Sequence, residues 1–302
     1  MILINTAPTP ASRLYCPILF KFAARLEQMT WPDFTADPIE MVAALRNAQR
    51  ASGADLIVNW FDTFAECETL GAEVVRDSDG NAASCATPPH GTTGALTVLR
   101  SELLPRLKEV AARLHADRGP GTLLGGFLTG PNTLAKRISG TSSIASPRDG
   151  GSAAERSEAA QFAVQWAIEV IRGYGEIGLD LSIIAEDEPG AAAFFNDHAK
   201  AVQPLVNLSR YYRHPLIVLN RRPLDDETAN AGIGGAPQIG TIRMIPEELF
   251  RSPAQTTAGQ LKTIPGGTVG GRMLMLSSWE VPVEAEPERL RELGVRLKSG
   301  DL

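Results

Sequence analysis

The sequence predicts an α/β protein with a mostly parallel sheet, laid out as one domain over residues 1–302. Two observations carry this. Strand-like apolar runs alternate with amphipathic helical stretches almost throughout, which is the pattern of repeated strand–helix units. No boundary between them has the composition of an interdomain linker, and 302 residues suit one barrel-sized domain. Strands are expected at 15–20, 54–60, 122–129, 179–185, 215–220, 239–244 and 272–277. Helices are expected at 38–52, 94–117, 153–174, 191–212 and 285–297. The first of these opens on Asp37-Pro38, a capping residue followed by proline at the first helical position. Seven strands are one short of a closed (β/α)8 barrel. Residues 221–235, rich in Gly, Ala and Asp, are where a degenerate or missing βα unit would lie. An open doubly wound sheet also accommodates seven strands, but the first strand lacks the Gly-rich phosphate turn usual there.

Composition excludes several function classes. A net charge of −6, a sequence pI near 5.4 and no Lys/Arg-rich run argue against a nucleic-acid surface. No apolar run reaches the roughly 18–20 residues of a membrane span. The N-terminus has neither the basic start nor the long apolar stretch of a signal peptide. Three widely spaced cysteines, Cys16, Cys67 and Cys85, suit a reducing compartment rather than a disulfide scaffold, so a cytoplasmic location is expected.

The most informative stretch is Phe61-Asp62-Thr63-Phe64-Ala65-Glu66-Cys67, which follows the apolar strand 54–60 and opens a helix. Asp62 sits just past the strand's C-terminal end, where ligands bind in parallel α/β folds. It is either a catalytic acid or a cap for the next helix. Glu186-Asp187-Glu188 follows the strand 179–185. Alternation along the chain would turn at most two of these acids inward, with Glu186 the better candidate for acid–base work and Asp187 the better candidate for a solvated loop. Asn220, Arg221 and Arg222 end the next strand, and Arg243 the one after. Arginines there can clamp a carboxylate or phosphate, or serve as surface partners of Asp225, Asp226 and Glu227. Asn132 and Thr133 follow Gly130-Pro131 and either touch ligand or cap a helix. Trp279 ends the last strand and either stacks on a flat ligand or plugs the fold. The Ser/Gly-rich segment 139–152 is the long loop of the chain, suited to cover an active site or simply to connect. His198 and His214 suit structural roles, and His90 is a loop residue. Gly232-Ile233-Gly234-Gly235 follows no clear strand and is a weak dinucleotide signal.

Read in order, three segments resemble the uroporphyrinogen decarboxylase superfamily. They are Gly53-Ala54-Asp55 through Asp62 to Glu68-Thr69-Leu70-Gly71, then Gly126-Phe127-Leu128-Thr129-Gly130-Pro131-Asn132-Thr133-Leu134. The third is Gly270-Gly271-Arg272 through Ser277-Ser278-Trp279-Glu280-Val281-Pro282 to Glu286-Pro287-Glu288-Arg289-Leu290. The resemblance implies a single (β/α)8 TIM-type barrel, with one unit degenerate or missing, and an enzyme that is a decarboxylase or a corrinoid-linked methyltransferase. It places Asp62 at the family's key aspartate.

Two departures shape the expectation. The decarboxylases carry an N-terminal Arg-rich motif, whereas this chain has Arg13 alone in Ser12-Arg13-Leu14-Tyr15-Cys16-Pro17, too few cations for an eight-carboxylate tetrapyrrole. The thiol methyltransferases carry a zinc His-x-Cys and a later Cys, whereas this chain has Val218-Leu219-Asn220-Arg221-Arg222 and Trp279 there. No metal is therefore expected. The resemblance then implies a methyltransferase without zinc-thiolate activation, Asp62 and Glu186 catalytic, and Asn132, Thr133, Asn220, Arg222, Arg243 and Trp279 around a small-molecule substrate. Corrinoid (cobalamin) would come from a partner protein, since no cobalamin-binding module is recognisable in the chain. A homodimer is compatible with the sequence. Two alternatives stand beside it: a carboxy-lyase acting on a small carboxylated ring, and a non-catalytic binding subunit that kept the fold and lost the metal.

Overall fold

Each of the seven predicted strands forms. The computed structural model describes residues 13–89, 92–142, 152–221, 242–245, 248–251, 262–264 and 273–300, with 242–244, 248, 251 and 262–264 as backbone. In chain order the elements are β1 (Arg13–Ile18), α1 (Phe20–Leu26), α2 (Trp31–Ala36), α3 (Pro38–Ser52), β2 (Leu56–Val58), α4 (Ala65–Thr69), β3 (Val74–Arg76) and β4 (Ala82–Cys85). Then come α5 (Ala95–Val98), α6 (Leu104–Ala116), β5 (Leu123–Thr129), α7 (Pro131–Ile138), α8 (Ala153–Ile177), β6 (Leu181–Glu186), α9 (Ala191–Asp197) and α10 (Ala199–Tyr212). The chain finishes with β7 (Leu216–Asn220), β8 (Ile242–Ile245), α11 (Glu248–Arg251), β9 (Lys262–Ile264), β10 (Met273–Glu280) and α12 (Pro287–Ser299).

One sheet runs β2-β5-β6-β7, all parallel. The other runs β1-β10-β8, parallel, with β9 antiparallel at its edge. Asp55 joins the two sheets: its backbone N–H donates to the Tyr15 carbonyl at 2.7 Å, and its Oδ2 accepts from the Tyr15 N–H at 2.8 Å. Among the described residues no strand pairing closes a ring, and β7 and β8 belong to different sheets. The expected degenerate unit at 221–235 lies, beyond Arg221, outside the described residues, as does the Gly-rich segment 232–235.

The continuous apolar runs are strands covered on both faces: every residue of β5 and of β6 is buried. Local chemistry sets the helix bounds. Asp37 accepts from the Ile39 N–H at 2.7 Å to open α3, which stops at Gly53 with φ +69°. Ser152 and Glu155 form a capping box on α8.

Two predicted helices are interrupted. The helix expected at 94–117 holds a π-helical turn, Leu99–Leu103, ahead of Pro105, which has no N–H to donate to the ladder. The helix expected at 191–212 breaks into α9 and α10 at His198, after Asn196 and Asp197, residues of poor helix propensity. The β3–β4 hairpin is an addition to the predicted elements. Its turn is built by Asp77, whose Oδ1 accepts from the N–H groups of Asp79 and Asn81 at 3.0 and 2.8 Å.

Among the described residues no helix is long and apolar enough to cross a membrane.

Candidate functional site

Asp62 lies where expected, four residues past β2, and is 6% exposed. Its Oδ1 accepts from the Phe64 N–H at 3.0 Å, an Asx-turn that sets the entry to α4 rather than a cap on the helix itself. Its Oδ2 accepts from Arg76 Nη2 at 2.8 Å. Arg76, on β3, is shared: its Nε and Nη2 also reach Glu68 at 2.9 and 2.8 Å, and Nη1 donates to the Gly80 carbonyl. The hairpin thus holds one guanidinium against Asp62.

Asp62 borders a cavity of about 280 Å³ together with Phe61, Lys21, Arg221, Trp279 and Glu280. A neighbouring cavity of about 420 Å³, bounded by Trp31, Trp60, Glu68 and Arg106, shares Asp62. In the smaller one, Trp279 meets the Phe61 ring edge-on at 5.1 Å between centroids, and Arg221 lies over the Trp279 ring at 5.7 Å. Glu280 closes the wall. Its Oε1 accepts from the Lys21 backbone N–H and its Oε2 lies 3.4 Å from Lys21 Nζ. Burial pushes the Glu280 carboxyl above its ordinary range. Lys21 opposes that rise and the charge of Asp62 reinforces it.

The three acids at the end of β6 are all buried, Glu186, Asp187 and Glu188 being 1%, 8% and 4% exposed. This corrects the expectation of a solvated Asp187, and the reason is α7. Glu186 sits at that helix's N-terminus, where Oε1 accepts from the Asn132 N–H at 3.1 Å. Its Oε2 accepts from the Thr133 N–H and hydroxyl at 2.8 and 2.7 Å. Gly130 makes this possible, since a Cβ there would stand 2.1 Å from the Glu186 carboxyl carbon. The Thr133 hydroxyl accepts in turn from the N–H groups of Asp187 and Glu188, and the Asn132 amide donates to the Glu188 and Pro189 carbonyls. Asn132, Thr133 and Glu186 therefore form one buried knot that fixes α7 to the end of β6. None of the three lines the cavity beside Asp62.

Asp187 bridges two arginines. Its Oδ2 accepts from Arg137 Nη2 at 2.9 Å and its Oδ1 from Arg221 Nη1 at 3.2 Å. Arg137, 1% exposed, also donates to the Thr63 carbonyl and lies 3.7 Å over the Phe64 ring. Asn220 ends β7 opposite Glu186 and does not border the cavity. Arg243 pairs with Met275 in the backbone of β8. Its side chain, Arg222, His90 and residues 143–151 of the expected active-site loop lie outside the described residues. His214 is structural, bonded to Ser182 Oγ at 2.6 Å and the Leu179 carbonyl at 2.8 Å. His198 marks the break before α10 and lies 4.6 Å from the Phe194 ring. All three cysteines are buried, and none forms a disulfide among the described residues. Among the described residues no group of three or more His, Cys, Asp or Glu is placed to hold a metal ion.

Residues 8–179, more than half of the chain, match the family described as Uroporphyrinogen decarboxylase (URO-D). The chain belongs to the uroporphyrinogen decarboxylase family. Its fold is similar to that of a solved structure titled "methyltransferase from Methanosarcina mazei", with a TM-score of 0.68 at 14% identity, over 97% of this chain and 95% of that one. No curated protein matches the chain significantly. Within the uroporphyrinogen decarboxylase family frame, sequence reasoning reaches Asp62 and Trp279 and misses Arg76, Glu280 and Arg137. Arg76 was signalled by Val-Val-Arg ahead of Asp-Ser-Asp-Gly, a short strand and a turn.

Glu186 makes stability pH-dependent. Burial pushes its carboxyl up from the ordinary 4.5 to about 7, against the pull of the Thr133 and Asn132 donors. The folded chain then holds a proton that the unfolded chain has lost, so stability falls as pH rises through the window from 4.5 to about 7. The difference in urea midpoint between the native chain and Glu186→Gln is expected to change across that window. Parallel pH profiles would remove Glu186 as its source.

Proposed function

We propose that the chain is a methyltransferase of this family that moves a methyl group between a corrinoid on a separate protein and a small substrate seated beside Asp62. The supporting observation is the fixed carboxylate of Asp62, held from two sides, in a cavity walled by Phe61 and Trp279. The two sheets are proposed to complete one (β/α)8-type barrel over residues 1–302, with the remaining unit after Arg221, in a cytoplasmic protein. A cavity of about 280 Å³ is at the small end of ligand sites and suits a small molecule rather than a corrin macrocycle, so the corrinoid belongs on a partner. A corrinoid brought to this cavity would supply a nucleophilic metal for methyl transfer.

The chain's own residues position the substrate. Asp62 orients it through a hydrogen bond, and Phe61 and Trp279 exclude water. Arg221 favours a second reading, decarboxylation of a small ring, because its half-exposed guanidinium can take a carboxylate. The test is to mix the chain with reduced cobalamin and a panel of small N-, O- and S-methyl compounds and follow the absorbance of methylcobalamin. Chain-dependent methylcobalamin is the expected result. Release of CO2 from a ring acid instead would select decarboxylation, and saturable binding with neither product would make the chain a binding subunit.

A further inference from the structure

Arg221 lines the cavity beside Asp62, and behind it two guanidiniums, its own and that of Arg137, share the single carboxylate of Asp187. Arg137 is buried on the Phe64 ring and Asp187 is 8% exposed, so both are fixed. The surplus positive charge falls on Arg221, whose side chain is 57% exposed. Arg221 meets Asp187 through Nη1 alone; among the described residues its Nε and Nη2 have no partner. Among the described residues one edge of a planar fork is thus pinned from behind and the other has no partner, the arrangement that receives a carboxylate.

Asp62 and Glu68 share the one guanidinium of Arg76, Glu68 from the neighbouring cavity. Lys21 and Glu280 pair with each other, and Glu284 adds a further carboxylate to the lining. Phe61, Phe64 and Trp279 line the same cavity, an apolar wall that suits a weakly hydrated cation as well as a ring.

We propose that this cavity recognises a small zwitterion of the N-methylated amino acid class, its carboxylate on Arg221 and its cationic nitrogen toward Asp62. This rests on the reading of the cavity as the substrate site. Asp187 and Arg137 are positioning residues: they hold the Arg221 fork and do not touch the ligand.

Calorimetric titration of the purified full chain tests it with three probes of one shape. N,N,N-trimethylglycine carries both charges, 3,3-dimethylbutanoate only the anion, and tetramethylammonium only the cation. The zwitterion is expected to bind at millimolar concentration and each singly charged probe about tenfold or more weakly, a loss of about 1.4 kcal/mol per charge. Arg221→Gln, at a half-exposed position where folding is not at risk, is expected to weaken trimethylglycine about tenfold and leave tetramethylammonium unchanged. Equal binding of the zwitterion and dimethylbutanoate, an unchanged affinity in Arg221→Gln, or no saturable binding of trimethylglycine would each overturn the proposal. Such a failure beside chain-dependent methyl transfer to cobalamin would remove the zwitterion and leave the enzymatic reading standing.

Discussion

Asp62→Asn is expected to lower turnover by about 100-fold or more while the chain stays folded, the scale of a positioned acid or base. The substitution keeps one of the two contacts and sets the new amide nitrogen against Arg76 Nη2, donor facing donor. An Asn side-chain oxygen can still accept from the Phe64 N–H and keep the Asx-turn into α4. Arg76 keeps its two bonds to Glu68 and its bond to the Gly80 carbonyl, so it is not left uncompensated. What disappears is the negative charge facing Lys21, Arg221 and Glu280 in the cavity. Turnover in the cobalamin assay and the urea midpoint are to be measured on the same variant. Turnover close to that of the native chain would reduce Asp62 to a turn-forming residue. A collapse of the midpoint would show that its pairing with Arg76 is needed for the fold.

The fold was legible where burial is continuous or capping is local. Strands such as β5 and β6 are apolar on every residue, and α3 opens on Asp37-Pro38 and stops at Gly53, so each is written in its own segment. The site was legible only in part, because position along a strand does not say which way a side chain faces. Glu186 ends its strand as expected, but the space left by Gly130 lets it turn under α7, where two backbone N–H groups and a hydroxyl take it. Trp279 and Asp62 end up together in the cavity though they are far apart in sequence. Arg76 and Arg137 were hidden for different reasons. Arg76 stands on a three-residue strand too short to show alternation. Arg137, in the last turn of α7 beside Lys136, has the sequence context of a solvated helix end, and only the packing of α7 against the β6 loop buries it.

That burial gives the second large effect. Arg137→Met is expected to destabilise the chain by about 3 kcal/mol, the low end of the range for breaking one partner out of a buried ion pair. The low end is chosen because Asp187, 8% exposed, would keep Arg221 at 3.2 Å and is not wholly abandoned. The Thr63 carbonyl loses its charged donor and the Phe64 ring its cation. Methionine is about as long and flexible as the arginine stem and can fill the space against Phe64, so a cavity term adds little. Among the described residues Arg137 Nε has no hydrogen-bond partner, so its removal offsets part of the loss. The measurement is the urea midpoint at constant slope, which isolates stability from any change in the denatured state. A second substitution separates charge from packing. If the loss arises from the stranded acid, Arg137→Met with Asp187→Asn recovers part of it, since the uncompensated charge is gone. If the double variant is no better than the single one, the contribution of Arg137 lies in its contacts with Thr63 and Phe64. Asp187 would then be held well enough by Arg221 alone, and the arginine at the cavity would owe its placement to Asp187 and Trp279 without help from the core.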